Sequence, residues 1–268
     1  MTTAPQTASL PLFYKQLAPL NSRDHGKWVA RSVEFASWAA NQHAIPLTID
    51  EFNLAQKSFP IVFSDSDKPV PLALMGLNEG INVFFDADGV LLEQVYVPAY
   101  IRRYPYLLAK LTEDADQLSL CFDPSSGLLV EEGPGEALFD GEQPTEHTKA
   151  VLSFCEQFEQ AGARTQQFVD ELLKLDLLMD GQVAIQRGDE TENPFVYRGF
   201  KMINQEKVVE LRGDQLRTLN QNGILPLIYA HLFSLDLMRV IFGKQVALGK
   251  GPIAASGSAQ TENVETAA

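Results

Sequence analysis

Short apolar runs separated by turn residues fill the first half of the chain. Runs of this length between clusters of Pro, Gly, Asp and Ser predict β-strands. The candidate strands cover residues 28–35, 60–63, 72–76, 82–85, 91–97, 118–122, 128–131 and 137–139. The sequence Asp-Ala-Asp-Gly at 86–89 predicts a hairpin loop between two of them. Because tight turns join closely spaced strands, we expect a mostly antiparallel sheet.

One short helix is predicted within this region. Thr48 and Glu51 have the spacing of a capping box, in which the two side chains satisfy free N–H groups at a helix start. Apolar residues then recur at helical spacing from Phe52 to Phe59. Pro60 follows, and a helix rarely continues through proline, so we expect the helix to end there.

The second half of the chain has a longer apolar period. Apolar residues recur every three or four positions over 145–160 and again, after Gly162, over 168–178, which predicts two helices. A β-like stretch separates these from two more helices. The predicted ranges are 182–187 and 195–203 for the β-like stretch, and 213–222 and 224–242 for the helices.

Together these patterns predict an α+β fold. A β-rich region, residues 1–144, would pack on a mainly helical region, residues 145–248, around one shared core. The chain has 268 residues, 45% of them hydrophobic, which is sufficient for one composite domain of this kind. The tail at 249–268 has almost no bulky apolar residue, so we expect it to be disordered.

The charge of the chain excludes two classes of partner. It has 35 acidic against 21 basic residues, a net charge of −14. Nucleic acid and anionic lipid would both repel such a surface. The stretch 224–242 is about long enough to cross a bilayer, but it contains His231, Asp236 and Arg239, and charges at that depth are costly. We therefore expect a buried amphipathic helix and no membrane insertion.

Cysteine usage and the first residues of the sequence indicate a cytoplasmic protein. Cys121 and Cys155 lie among apolar neighbours, and neither belongs to a Cys-X-X-Cys pair. We therefore expect both to be buried, reduced thiols. The first residues lack the basic and continuous apolar parts of a secretory signal.

No sequence motif dictates a reaction. The histidines at 25, 43, 147 and 231 are scattered without metal-ligand spacing, so the sequence predicts no metal site. It predicts no cofactor either, because its glycine-rich stretches lack both the dinucleotide-binding context and the lysine of a phosphate-binding loop. The nucleophile elbow Gly-X-Ser-X-Gly does not occur.

Residues 96–106, here called the Tyr/Arg segment, stand out in this acidic chain. The candidate binding residues are Tyr96, Tyr100, Arg102, Arg103, Tyr104 and Tyr106. Pro98 suits the first turn of a helix, and Pro105 is predicted to end that turn or to lead it into a helix over 106–111.

Two interpretations of the Tyr/Arg segment are open. In one it is an anion- or peptide-binding surface, with arginine as a carboxylate fork and tyrosine as amphipathic contact area. In the other it is an architectural corner, with half-buried tyrosines and with arginines that neutralise nearby acids. The second has the stronger precedent, because aromatic residues at helical spacing usually belong to a core.

Several short motifs also occur in a characteristic order. They are Phe-Pro-Ile-Val-Phe at 59–63, Ala-Leu-Met-Gly-Leu at 73–77, Asn-Val-Phe-Phe-Asp at 82–86, Tyr-Val-Pro-Ala-Tyr-Ile-Arg-Arg-Tyr-Pro at 96–105 and Gly-Ile-Leu-Pro-Leu-Ile-Tyr-Ala-His-Leu-Phe-Ser at 223–234. This order resembles the SapC-like family, named for an association with bacterial surface layers. The resemblance implies no particular reaction, cofactor or catalytic residue. The company of its genes, which encode outer-membrane receptors, tryptophan-halogenase-like proteins and cupin-type proteins, implies a role near surface nutrient uptake or peptide modification.

Three functional hypotheses follow. We favour a non-catalytic cytosolic binding or accessory protein of a surface-associated or uptake system, which contacts a peptide or protein partner through the Tyr/Arg segment. The alternative is an enzyme acting on a peptide or small acid, with Arg102 anchoring a carboxylate and His25, His231 or an aspartate as base. The third, a surface-layer subunit, is disfavoured by the reduced thiols and by the missing export signal. Homo-oligomer formation is left open.

Overall fold

The computed structural model describes residues 10–32, 35–111, 117–187 and 190–251. Within these ranges, short antiparallel strands dominate the first half of the chain and helices dominate the second. The predicted α+β class is therefore confirmed. Apart from residues 249–251, the predicted tail at 249–268 lies outside the described residues.

The β-rich region consists of short elements. Its strands are β1 (Ala18–Pro19), β2 (Val29–Ala30), β3 (Ala44–Pro46), β4 (Ile61–Ser64), β5 (Pro71–Leu74), β6 (Tyr106–Ala109), β7 (Ser119–Phe122), β8 (Leu129–Val130), β9 (Glu136–Ala137), β10 (Phe139–Asp140) and β11 (Gln143–Pro144). Its helices are α1 (Ser22–His25), α2 (Phe52–Ala55) and α3 (Ala99–Arg102), with 3-10 turns at Ser37–Ala39, Ile49–Glu51 and Pro124–Ser126. Because these strands and helices are so short, contacts between side chains hold the region together more than backbone pairing does.

The helical region contains one long helix and several shorter elements. In chain order these are α4 (Glu146–Lys174), β12 (Leu178–Asp180), β13 (Val183–Arg187), β14 (Glu190–Tyr197), β15 (Phe200–Ile203), α5 (Gln205–Val209), α6 (Gly213–Gln221), α7 (Ile224–Ser234) and α8 (Leu237–Ala247). The predicted β-like stretch is present as the β13–β14 hairpin and β15.

The largest sheet joins the two regions. Its five strands lie in the order β12–β15–β4–β5–β3, and all neighbours are antiparallel. The first two strands belong to the helical region and the other three to the β-rich region. Aromatic side chains from both regions meet beside this sheet: the ring of Phe168 in α4 lies 5.8 Å from Phe52 and 6.3 Å from Phe63. The two regions therefore share one sheet and one core.

Helix α7 is fastened to the sheet by two buried polar side chains. His231 Nε2 accepts the Ile203 N–H at 3.0 Å, and Ser234 Oγ accepts the Ile61 N–H at 2.9 Å. The Ser234 hydroxyl also donates to the His231 carbonyl at 2.7 Å. This local bond competes with the helical hydrogen-bond ladder, and serine back-bonding of this kind bends helices. The single helix predicted over 224–242 is wrong in one respect: the structure has two helices, α7 and α8, with Leu235 and Asp236 between them.

By length and composition alone, the helical stretch Ile224–Ala247 could cross a membrane, with a mean hydropathy of 1.6. In the fold its inner side packs on the rest of the protein. Gln245 near the end of α8 is fully buried, and its Oε1 accepts the Leu77 N–H at 3.0 Å while its Nε2 donates to Asn78 Oδ1 at 2.7 Å. The apolar residues of Ile224–Ala247 thus belong to helices that pack against the core.

Helix α4 corrects the prediction of two helices separated at Gly162. It runs without a break for 29 residues, begins at the N-cap Thr145 and buries Cys155, Phe168 and Leu172. A glycine inside a helix costs only about 0.5–1 kcal/mol relative to alanine. The apolar contacts of this helix outweigh that cost, so the glycine does not end it.

The predicted helix over 106–111 is wrong, because Tyr106–Ala109 forms strand β6. The sequence Tyr-Leu-Leu-Ala contains good helix formers, but its backbone pairs with β7, with Tyr106 opposite Phe122 and Ala109 opposite Ser119. Strand pairing with a distant segment has overridden local propensity here.

Two further strand predictions are replaced by irregular backbone. The segments 82–85 and 91–97 form only an isolated bridge, Phe85 to Leu91, beside the predicted hairpin loop. The side chain of Asn82 explains the first, because its Oδ1 accepts the N–H groups of Phe84 at 2.9 Å and Phe85 at 3.2 Å. These backbone N–H groups therefore bind a side-chain oxygen, and not the carbonyl groups of a neighbouring strand. Of the strand predicted over 28–35, only Val29–Ala30 is a strand, and residues 33 and 34 lie outside the described residues.

We expect Gly162→Ala to stabilise the protein by about 0.5–1 kcal/mol, since the alanine reduces the conformational freedom of the unfolded chain. A Cβ built at Gly162 meets nothing within 4 Å. Gly76→Ala is the contrasting control, because its Cβ would lie 1.9 Å from the Ile81 carbonyl oxygen. Urea denaturation should show a gain for the first variant and a large loss for the second. Equal effects would contradict the packing described here.

Burial lowers the pKa of His231 to about 4, against an ordinary value of about 6.5. Between these values the unfolded chain binds a proton that the folded chain does not, so stability falls as the pH falls. We expect the free energy of unfolding to drop between pH 7 and pH 4 by about 3 kcal/mol more in the wild type than in His231→Gln. Denaturation at several pH values measures the difference, and parallel curves would contradict the buried, neutral imidazole.

Candidate functional site

A buried carboxylate holds the Tyr/Arg segment in place. Glu51 is 4% exposed and accepts four hydrogen bonds. Its Oε2 accepts the Thr48 N–H at 2.9 Å, which is the glutamate half of the predicted capping box, and it also accepts the Thr48 hydroxyl at 2.9 Å. Its Oε1 accepts the Ala99 N–H at 2.7 Å and the Tyr96 hydroxyl at 3.0 Å. Because Ala99 begins α3, one side chain connects two separate turns of the chain.

Tyr100 and Tyr104 pack together with other aromatic residues in the core. Tyr100 and Tyr104 are both less than 10% exposed. Phe13 lies between them, with its ring 5.5 Å from Tyr100 and 6.0 Å from Tyr104. Tyr14 and Trp38 also pack on Tyr104, at ring distances of 5.2 and 4.9 Å. This is the placement that the architectural interpretation predicts for both tyrosines.

The two arginines occupy different environments. Arg102 is exposed, and its Nε donates to the Val97 carbonyl at 3.0 Å while Nη2 donates to the Tyr96 hydroxyl at 3.1 Å. Arg103 is only 7% exposed, and its guanidinium carbon lies 4.2 Å from the centre of the Phe158 ring. Its Nη1 pairs with Glu159 at 3.3 Å. Arg102 is therefore available at the surface, whereas Arg103 is part of the interior.

A pocket of about 380 Å³ opens beside the two arginines. Its charged lining residues are Arg31, Arg102, Arg103 and Glu136, and its lining also includes Tyr104, Tyr106 and His147. Apolar side chains from β8 and α4 form part of the remaining wall, among them Leu128, Leu129, Val151 and Phe154. A concave, largely apolar cavity with a few convergent polar groups is the usual form of a ligand site.

Three polar atoms of the pocket residues lack a hydrogen-bond partner among the residues that the structure describes. These are Arg103 Nε, Tyr106 Oη and His147 Nε2, here called the open polar atoms. Each of them is itself buried. Buried polar atoms are nearly always paired in folded proteins, so each exception requires an explanation. Five such atoms occur over the described ranges, and three of them belong to residues that line this one pocket.

The protonation states beside the pocket suit binding better than nucleophilic attack. Burial raises the pKa of Tyr106 above its usual range, and burial is also the main cause that raises the pKa of Cys155 to about 11. Both groups therefore hold their protons at neutral pH, and Cys155 is not a reactive thiolate. Burial also raises the pKa of Cys121. Both cysteines are buried and free, as predicted.

The histidine of the pocket is not one that the enzyme hypothesis named. His25 packs edge-to-face against Trp28 and Phe122, at ring distances of 4.8 and 5.2 Å, and His231 lies in the core; neither lines the pocket. The pocket instead contains His147, from the first turn of α4. Over the described residues, no group of three or more His, Cys, Asp or Glu side chains is placed to hold a metal ion.

Sequence reasoning missed three residues of the site. His147 and Arg31 carry no local signal, because they join the pocket only through the packing of α4 and β2 against the Tyr/Arg segment. Glu51 did carry a signal, since its capping box is visible in the sequence. Glu51 also accepts a hydrogen bond from the Ala99 N–H, 48 positions along the chain, and nothing in the sequence indicates that second role.

The SapC family model matches residues 20–241, more than four-fifths of the chain. The chain belongs to the SapC family. No curated protein and no solved structure matched it. In this SapC-family chain, the matched region includes the whole Tyr/Arg segment and every residue that lines the pocket.

We expect Glu51→Ala to lower the free energy of unfolding by about 3 kcal/mol or more, because it leaves the buried N–H groups of Thr48 and Ala99 without acceptors. Asp50→Ala is the matched control. That neighbouring carboxylate is half exposed and pairs with Arg164 at the surface, so its loss should cost far less. Thermal denaturation of both variants measures the difference. Similar losses would mean that Glu51 does not anchor the segment.

Proposed function

We propose that this SapC-family chain is a non-catalytic binding or accessory protein that contacts a peptide or protein partner at the pocket beside the Tyr/Arg segment. The observation that carries the proposal is that Arg102, Arg103, Tyr106 and His147 all line one partly apolar cavity. Arginine at a desolvated edge recognises carboxylates through paired hydrogen bonds, and aromatic neighbours add contact area. The pocket therefore offers both charge and apolar surface to a partner.

The cellular setting in this proposal is the cytoplasm, in support of a surface-associated or nutrient-uptake system. The buried free thiols Cys121 and Cys155 suit a reducing compartment. The role in nutrient uptake is inferred from the neighbouring genes that the family resemblance implies, among them genes for outer-membrane receptors. The net charge of −14 favours a partner with basic or apolar surface around the group that enters the pocket.

An enzyme remains the second candidate, and His147 is the observation that favours it. A histidine in the same pocket as Arg102 supplies a base beside an anchored carboxylate. Binding is the better supported function, because the thiol of Cys155 beside the pocket keeps its proton and so supplies no nucleophile.

Arg102 provides the test, because it is exposed and lines the pocket. We expect a partner recovered with the full-length chain from its own host to bind the purified wild type directly and to bind Arg102→Ala about tenfold or more weakly, the effect of losing a charge-assisted contact. Arg239→Ala is the matched control, since Arg239 is an exposed arginine on α8 that does not line the pocket. Surface plasmon resonance with the three proteins gives the ratio of affinities.

Equal binding by Arg102→Ala and Arg239→Ala would place the contact elsewhere and contradict the proposal. Turnover of a small acid by the wild type that is lost in His147→Gln would favour the enzyme instead. Circular dichroism of each variant should match the wild type, because Arg102 makes its hydrogen bonds at the surface.

A further inference from the structure

The open polar atoms of the pocket specify what it accepts. Arg103 and Tyr106 are each more than nine-tenths buried, yet one polar atom of each has no partner among the described residues. Next to these atoms, the Tyr14 hydroxyl donates to the Tyr106 carbonyl at 2.6 Å. Tyr106 therefore has a paired carbonyl and, over the described residues, an unpaired hydroxyl.

All three open polar atoms can act as donors. Arg103 Nε carries a hydrogen at every accessible pH and cannot accept. Burial raises the pKa of Tyr106, so its hydroxyl keeps its proton and can donate. His147 Nε2 donates in the tautomer that places the hydrogen on it. A set of groups that can all donate at the same time is complementary to an anion.

The local charge selects the kind of anion. Arg31, Arg102 and Arg103 line the pocket, Glu136 lines it as well, and Glu159 pairs with Arg103. These groups leave one positive charge in excess, which balances one negative charge. A phosphate dianion would leave the site negative in a protein that is already strongly acidic, whereas a carboxylate would neutralise it.

The apolar side chains of the pocket indicate which substituent the bound anion has. Leu128, Leu129, Val151 and Phe154 line the pocket, so an apolar group attached to the anion would be removed from water. We propose that the pocket is a binding site for a singly charged carboxylate with an apolar substituent, held by Arg103, Tyr106 and His147. This rests on the proposed function and names the group of the partner that enters the pocket.

Small probes of matched shape test the assignment. We expect the full-length chain to bind N-acetylphenylalanine in isothermal titration calorimetry about tenfold or more tightly than the corresponding neutral amide. Benzoate serves as the free organic acid. Tighter binding of N-acetylphenylalanine supports a peptide C-terminus as the source of the carboxylate, and tighter binding of benzoate supports a free acid. Inorganic phosphate binding more tightly than both would overturn the assignment, as would equal binding of acid and amide.

Two conservative variants separate binding from folding. Tyr106→Phe removes a buried hydroxyl that has no partner over the described ranges, so the melting temperature should stay or rise while N-acetylphenylalanine binding weakens about tenfold. Tyr14→Phe removes a buried hydroxyl that does have a partner, so the melting temperature should fall while binding persists. His147→Gln should also weaken binding. If Tyr106→Phe and Tyr14→Phe changed binding alike, Tyr106 would not contact the ligand.

The experiments distinguish a failure of the carboxylate assignment from a failure of the proposed function. If N-acetylphenylalanine and benzoate do not bind but the protein partner still depends on Arg102, the assignment is wrong and the proposed function stands. If the acids bind in a Tyr106-dependent manner and no partner depends on Arg102, the carboxylate site stands and the protein-partner proposal is wrong.

Discussion

The hydrogen bonds of the Glu51 carboxylate determine the geometry around the pocket. A charged group in a protein interior is tolerated only when its hydrogen bonds are complete. Four donors from Thr48, Tyr96 and Ala99 complete them here. The capping turn, the start of α3 and the Tyr96 ring therefore have fixed relative positions. Tyr96 in turn accepts a hydrogen bond from Arg102, so the arginine at the pocket mouth is oriented by a carboxylate that it does not touch.

Helix α4 is the second element on which the site depends, because it serves both regions of the fold. Its first half carries His147 and Phe154 along the pocket, and its second half buries Phe168 in the core beside the five-stranded sheet. Thr165 accepts the Ile49 N–H at 3.0 Å, within the same turn that contains Glu51. The two walls of the pocket are thus tied to one turn of the β-rich region, which fixes the separation between them.

Local patterns in the sequence predicted the parts of the fold that short-range chemistry determines. The capping box at Thr48, the hairpin loop at 86–89 and the strand before Ser64 all depend on neighbouring residues. The errors have a different origin. Tyr106–Ala109 became a strand because its partner lies in Ser119–Phe122, and Gly162 stayed helical because its helix buries a long apolar face.

The candidate site shows the same division. Composition marked the Tyr/Arg segment, and both interpretations of it apply: Tyr100, Tyr104 and Tyr106 are buried, and the last two of these also line the pocket together with Arg102 and Arg103. His147 also lines the pocket, but it belongs to α4, which begins at Glu146, far along the chain from the Tyr/Arg segment. Whether a polar atom has a partner is a property of the packed structure, so the open polar atoms had no counterpart in the sequence.

The side chains that complete the core lie beyond both ends of the region that the family model matches. The family match covers residues 20–241, but Phe13 and Tyr14 lie before it and cover Tyr100 and Tyr104. Gln245 lies after it and satisfies the buried Leu77 N–H. A fragment cut to the matched boundaries would expose aromatic rings at one end and leave an unpaired amide at the other. The contacts of the core therefore extend beyond the matched region, at least from Phe13 to Gln245.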